Sequence, residues 1–165
     1  MRYGKMICCL LLLLCGCKHS DKEVMQALKE TGMLQDKEDN GFHYRLQYMP
    51  PKKEREKDLL RFRLRINASN GENMKGTDQP IFSYGVDSLF GLINVTDTLK
   101  PVDVVRVANG NIGGVEYMLL FNRPIAFSHV NVQLLFRDFL FIHKFMNFPL
   151  KGAAIKHIDS LSLNI

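Results

Sequence analysis

Four cysteines, Cys8, Cys9, Cys15 and Cys17, lie within the first seventeen of 165 residues, and none follows. Clustered thiols can ligate a soft metal, pair as disulfides or carry an acyl group. Cys8 and Cys9 fall inside the unbroken apolar run Met6 to Leu14, and Cys15 follows it directly. Small apolar residues of an excised leader explain them better than a metal cluster or a disulfide framework. His19, His43, His129, His143 and His157 are scattered, with neither His-x-x-x-His nor His-Glu-x-x-His spacing. They read as surface or part-buried side chains, and no metal or other cofactor is expected. A nucleophilic enzyme needs Ser or Cys beside a base. The chain has no Gly-x-Ser-x-Gly, and the glycine-rich run Asn109 to Gly114 lacks the Gly-Lys-Ser/Thr ending of a phosphate loop. Paired acids for glycoside cleavage are a matter of tertiary geometry that spacing does not reveal. The expectation is a non-enzyme.

The densest charge feature is the band Lys52, Lys53, Arg55, Lys57, Arg61, Arg63 and Arg65. Three arginines on one strand face cannot be buried unpaired. That face is either solvated, with Glu54, Glu56 and Asp58 as local partners, or it meets an anionic partner: an acidic protein, a lipid phosphate or an acidic glycan. Lys52, Lys53, Arg61, Arg63 and Arg65 are the candidate partner-binding residues. Overall charge is modest. The 22 Lys and Arg against 17 Asp and Glu do not call for nucleic acid.

The elements that must position these residues are mostly strands. FHYRLQY sets Phe42, Tyr44, Leu46 and Tyr48 on one face, and Pro50-Pro51 stops it. LLRFRLRI turns Leu60, Phe62, Leu64 and Ile66 inward and the arginines outward. IFSYGVDSLFGLINV is ambiguous between a strand pair and a helical turn. VDVVRVA and VEYMLLF read as two strands joined through NGNIGG as a hairpin. HVNVQLLF and FLFIHKFMNF follow as strands, with Pro149 closing the latter. The tail KGAAIKHIDSLSLNI reads as a helical turn and a last strand. Ser20 and Glu23 have capping-box spacing before a short helix ending near Gly32, which can equally be a loosely ordered spacer. The charged QDKEDNG reads as linker. Seven or eight short strands without a long amphipathic helix predict a mainly β fold. The expected form is a single antiparallel sandwich of immunoglobulin- or transthyretin-like type over residues 41–165.

The N-terminus carries the sharpest motif. Arg2 and Lys5 precede the apolar run, which is about half the roughly 20 residues a spanning helix needs. It ends in Leu14-Cys15-Gly16-Cys17. This string resembles the lipobox of bacterial lipoproteins. The resemblance implies cleavage between Gly16 and Cys17 by signal peptidase II, removing 1–16 and leaving Cys17 lipid-modified, palmitate included, at the start of a tether over 17–40. Loss of Arg2 and Lys5 leaves 20 basic and 17 acidic residues, a balance of +3, and no cysteine able to form an internal disulfide. Two or three acyl chains hold a protein firmly, each buried methylene adding about 0.8 kcal/mol.

Asp87-Ser88-Leu89, Asp97-Thr98-Leu99 and Asp159-Ser160-Leu161 repeat one tripeptide pattern. It resembles the O-glycosylation signal of exported proteins in the Bacteroidota, with Ser88, Thr98 and Ser160 as acceptors; strand-end turn chemistry explains it equally well. Asn67-Ala68-Ser69 and Asn94-Val95-Thr96 match the Asn-linked sequon, which loses its meaning if the chain is bacterial, as the lipobox resemblance implies. Together the resemblances imply an outer-membrane lipoprotein of Bacteroidota type, on either the periplasmic or the surface face. The expected role is a non-catalytic interaction module, such as an accessory subunit of an envelope-spanning apparatus. Its partners would be the membrane, through the lipid, and another envelope protein. The alternative is a glycan- or peptide-binding lipoprotein in which Tyr44, Tyr48 or Tyr84 stacks on sugar.

Overall fold

The computed structural model describes residues 21–71, 80–94, 97–108, 113–125, 127 and 131–164. Cys17, Gly16, His129, Ser20 and most of NGNIGG fall outside them. Among the described residues the elements run α1 (Asp21–Glu30), β1 (Leu34–Asp39), β2 (Phe42–Met49), β3 (Leu59–Ala68), β4 (Phe90–Asn94), β5 (Asp97–Leu99), β6 (Asp103–Arg106), β7 (Gly114–Asn122), β8 (Asn131–Asp138), β9 (Lys144–Lys151) and α2 (Gly152–Leu163). The strands form a five-stranded sheet, β1-β2-β3-β7-β6, and a four-stranded sheet, β5-β4-β8-β9, antiparallel throughout. The fold is the expected antiparallel sandwich.

Strict alternation builds the interior. Tyr44, Leu46 and Tyr48 of β2 and Leu60, Phe62, Leu64 and Ile66 of β3 are all fully buried, as their period of two requires. The five-stranded sheet meets the other through Tyr44 of β2 on Phe136, ring centres 6.3 Å apart, and Tyr117 of β7 on Phe90 at 5.7 Å. Each such aromatic contributes on the order of 2–3 kcal/mol by leaving water.

Three segments differ from the sequence reading. The stretch read as a charged linker contains all of β1 after Leu34, and Asn40 and Gly41, at φ 47° and 81°, form the two-residue turn into β2. Positive φ at both positions marks a type I′ turn, whose twist matches the strands it joins. Pro149 does not close β9 but lies within it. An edge strand tolerates this, because one side of its backbone has no strand to bond. The tail makes no last strand: residues 152–163 are one helix, with Ile155 and Ile158 buried. Those two side chains are three apart, so a single helix face seats both, whereas a strand would point them to opposite sides.

Helix α1 belongs to the same body. Ala27 and Leu28 are buried, and α1 packs on α2. Gly32, at φ 74°, ends α1. The N–H groups of Gly32 and Met33 donate to the carbonyls of Lys29 and Leu28, a Schellman closure that brings Met33 onto Leu28 in the core. The helices mark one end of the sandwich, where Tyr48 N–H donates to Met33 O. The β1–β2 turn and the β8–β9 connection mark the other.

Candidate functional site

Strand β3 places Arg61, Arg63 and Arg65 on the outer face of the five-stranded sheet. Arg45 of β2 sits directly opposite Arg65, a pairing of like charges that is unfavourable by itself. The two neighbouring strands resolve it, because one cross-strand row reads Asp36, Arg45, Arg65, Glu116. Arg45 Nε donates to Asp36 at 2.7 Å, and Arg65 Nη2 donates to Glu116 at 2.7 Å. Glu116, buried, also has Arg63 Nε at 3.3 Å. Arg61 pairs with Glu56 of the 3-10 turn Glu54–Glu56. The Lys52 backbone N–H and the Arg61 guanidinium hold the Glu56 carboxyl below its usual range. Lys52 and Lys53 are exposed in the loop before that turn. So the band is brought together, but its three strand arginines have carboxylate partners within the chain. Glu56 was among the partners legible in sequence; Glu116, 51 residues beyond Arg65, was not.

Besides Glu116, two more acids among the described residues, Asp138 and Asp159, are buried. Tyr44 Oη donates to Asp138 Oδ2 at 2.6 Å, while Leu140 N–H and Phe141 N–H donate to Asp138 Oδ1. Tyr48 Oη donates to Asp159 Oδ1 at 2.6 Å, and Arg123 Nη2 donates to Asp159 Oδ2 at 2.6 Å. Burial pushes the Asp159 carboxyl up, against the hydrogen bond from Tyr48 and the Arg123 charge, which pull it down. Burial and the neighbouring acids push both phenols up. Tyr44 and Tyr48 are fully buried, so neither can stack on a sugar; their hydroxyls needed acid partners, and their rings fill the core. Tyr84 is 79% exposed.

The tripeptide repeats separate. Ser88 and Thr98 are exposed and line the same cleft, while Ser160 is half-buried on α2 beside the buried Asp159. The cleft, about 340 Å³, lies against the outer face of the four-stranded sheet, lined by Asp87, Ser88, Phe90, Thr98, Lys100 and Arg137. Thr98 and Arg137 pack over Gly91 of β4, where an added Cβ would meet Thr98 Cγ2 at 2.8 Å and lie within 3.8 Å of the Arg137 guanidinium. Arg137 Nη1 donates to Ser88 O at 3.1 Å. Lys100 and Arg137 were missed by sequence reasoning, since 37 residues separate them and no spacing links them.

Among the described residues, no group of three His, Cys, Asp or Glu side chains is disposed to hold a metal, and no helix is long and apolar enough to cross a membrane. Comparison with known proteins finds no family model, curated protein or solved structure that matches the chain.

Proposed function

We propose that this chain is a lipid-anchored lipoprotein of the outer membrane, acylated at Cys17, acting as a non-catalytic interaction module for another envelope protein. One observation carries the interaction reading. Ile81, Tyr84, Phe139 and Phe145 are all at least half exposed, and they gather at the end of the sandwich away from the helices. Phe139 and Phe145 flank the β8–β9 connection, with ring centres 5.9 Å apart. Ile81 and Tyr84 flank Phe82, whose ring lies 5.6 Å from Phe141 of the same connection. Large apolar side chains clustered in water favour a protein contact. Cys17 precedes α1 by four positions, so a lipid there tethers the helical end and leaves the aromatic end to face a partner. The strand arginines, already ion-paired, would contribute orientation more than affinity.

In the native cell, Cys17→Ala is expected to abolish incorporation of labelled palmitate and move the protein out of the membrane fraction. A photo-crosslinker at Tyr84 should then capture a defined envelope protein from the wild type. Capture should fall at least tenfold in a chain carrying Ile81→Ser and Phe145→Ser, two exposed positions where thermal stability should hold. Label that persists in the Cys17 variant would sink the anchor. Capture indifferent to the two serines would sink the contact.

A further inference from the structure

We propose that the cleft between Ser88, Thr98, Lys100 and Arg137 binds an acidic sugar unit, a pyranose bearing a carboxylate. This goes beyond the interaction reading and stands without it.

The argument is one of matched chemistry in a small space. A cleft of about 340 Å³ is the size of a site for one small ligand. Its two cations come from different elements, Arg137 from β8 and Lys100 from just after β5. Arg137 is held in place: one of its five donors is spent on Ser88 O, and the group lies across Gly91. The absence of a side chain at Gly91 is what lets Thr98 and Arg137 pack this close to the sheet, since a Cβ there would come within 2.8 Å of Thr98 Cγ2. Among the described residues, Lys100, Asp87 and the Thr98 hydroxyl have no side-chain hydrogen bond or ion pair. Two cations lining one cleft favour an anion, and a planar guanidinium suits a carboxylate. Asp87 on the same wall selects which carboxylate. It repels a polyacidic peptide, but it accepts hydrogen bonds from a ligand rich in hydroxyl groups. The Thr98 hydroxyl can donate or accept, and Ser88 Oγ, whose proton goes to Gly85 O at 2.7 Å, can still accept. A ligand that is at once anionic and polyhydroxylated satisfies all of them, and an acidic sugar is that ligand.

The test uses the full chain, purified in detergent from a host without protein O-glycosylation, with saturation-transfer NMR against three probes: glucuronate, glucose and succinate. Glucuronate is expected to bind in the millimolar range, at least tenfold tighter than glucose or succinate, and more weakly as salt rises. Lys100→Gln and Arg137→Gln should each weaken it about tenfold or more, the usual loss for a charge-assisted hydrogen bond. Lys100 is exposed, so its variant should fold normally. Lys156→Gln, on α2, should leave binding unchanged. Succinate binding as well as glucuronate, glucose doing so, no transfer to glucuronate at 10 mM, or indifference to Lys100→Gln would each overturn the proposal.

Discussion

Asp159→Ala is expected to lower the free energy of unfolding by about 3 kcal/mol, the low end for breaking a buried pair, since Arg123 keeps some access to water. The variant strips the acceptor from Tyr48 Oη and the counter-charge from Arg123 together, and both groups sit where α2 meets the sandwich. Total stabilities run to only about 5–15 kcal/mol, so the transition should move visibly in a denaturant titration. Asp159→Asn should cost distinctly less. Burial is the largest influence on this carboxyl and raises its pKa; the amide keeps an acceptor for Tyr48 without a charge to desolvate. The sign of the pH dependence follows. A carboxyl whose folded pKa lies above its unfolded value of 3.8 adds stability that is complete below that value. That contribution is lost as pH rises through the raised folded value. The cost of Asp159→Asn should therefore be greatest at acidic pH and shrink toward neutrality. A cost that grows with pH instead would mean that the Arg123 charge outweighs desolvation.

Asp138→Ala should be comparably damaging, at about 3 kcal/mol, for a different reason. One fully buried carboxyl serves three donors: Tyr44 Oη from the opposite sheet and two backbone N–H groups of its own β8–β9 connection. Each buried donor left without an acceptor costs about 1–3 kcal/mol, and the two half-buried N–H groups recover part of that from water. Tyr44→Phe removes one bond and should cost about 1 kcal/mol. The double variant Tyr44→Phe, Asp138→Ala should then be less than additive, since the two share an interaction. Amide exchange localises the effect. Protection should fall first at Leu140 and Phe141, before the β3–β7 pairing is touched. Strict additivity, or loss spread evenly over both sheets, would remove Asp138 from its role in fastening the connection to β2.

The strands that alternate apolar and polar residues were legible without coordinates, and β2 and β3 lie residue for residue where their period places them. β1 was not legible, because its inward residues are Gln35, Lys37 and Asp39 rather than apolar ones. Their work is at the margin of the sandwich. Gln35 Nε2 donates to Pro149 O, Lys37 Nζ donates to Asn147 O, and Lys144 Nζ donates to Asp39. Polar side chains of one edge strand thus satisfy carbonyls along the edge of another, a way of shielding an open edge that leaves no hydrophobic period to read. Asp138 did leave a trace, an acid inside the apolar run LLFRDFLF, where only a partner makes burial tolerable.

What the sequence alone determined is whatever depends on near neighbours: the inward and outward faces of the central strands, the sandwich class, the arginine stripe and the lipobox-like string at Cys17. The tertiary structure decided what depends on distant ones. It gave Arg65 a partner in Glu116, buried Tyr44 and Tyr48 against acids 94 and 111 residues away, and joined Ser88, Thr98, Lys100 and Arg137 around one cleft. The physical reason is the same in each case. Side-chain direction along a strand is set by the local backbone, whereas charge neutralisation and polar satisfaction in an antiparallel sandwich are set by register and by which strands become neighbours.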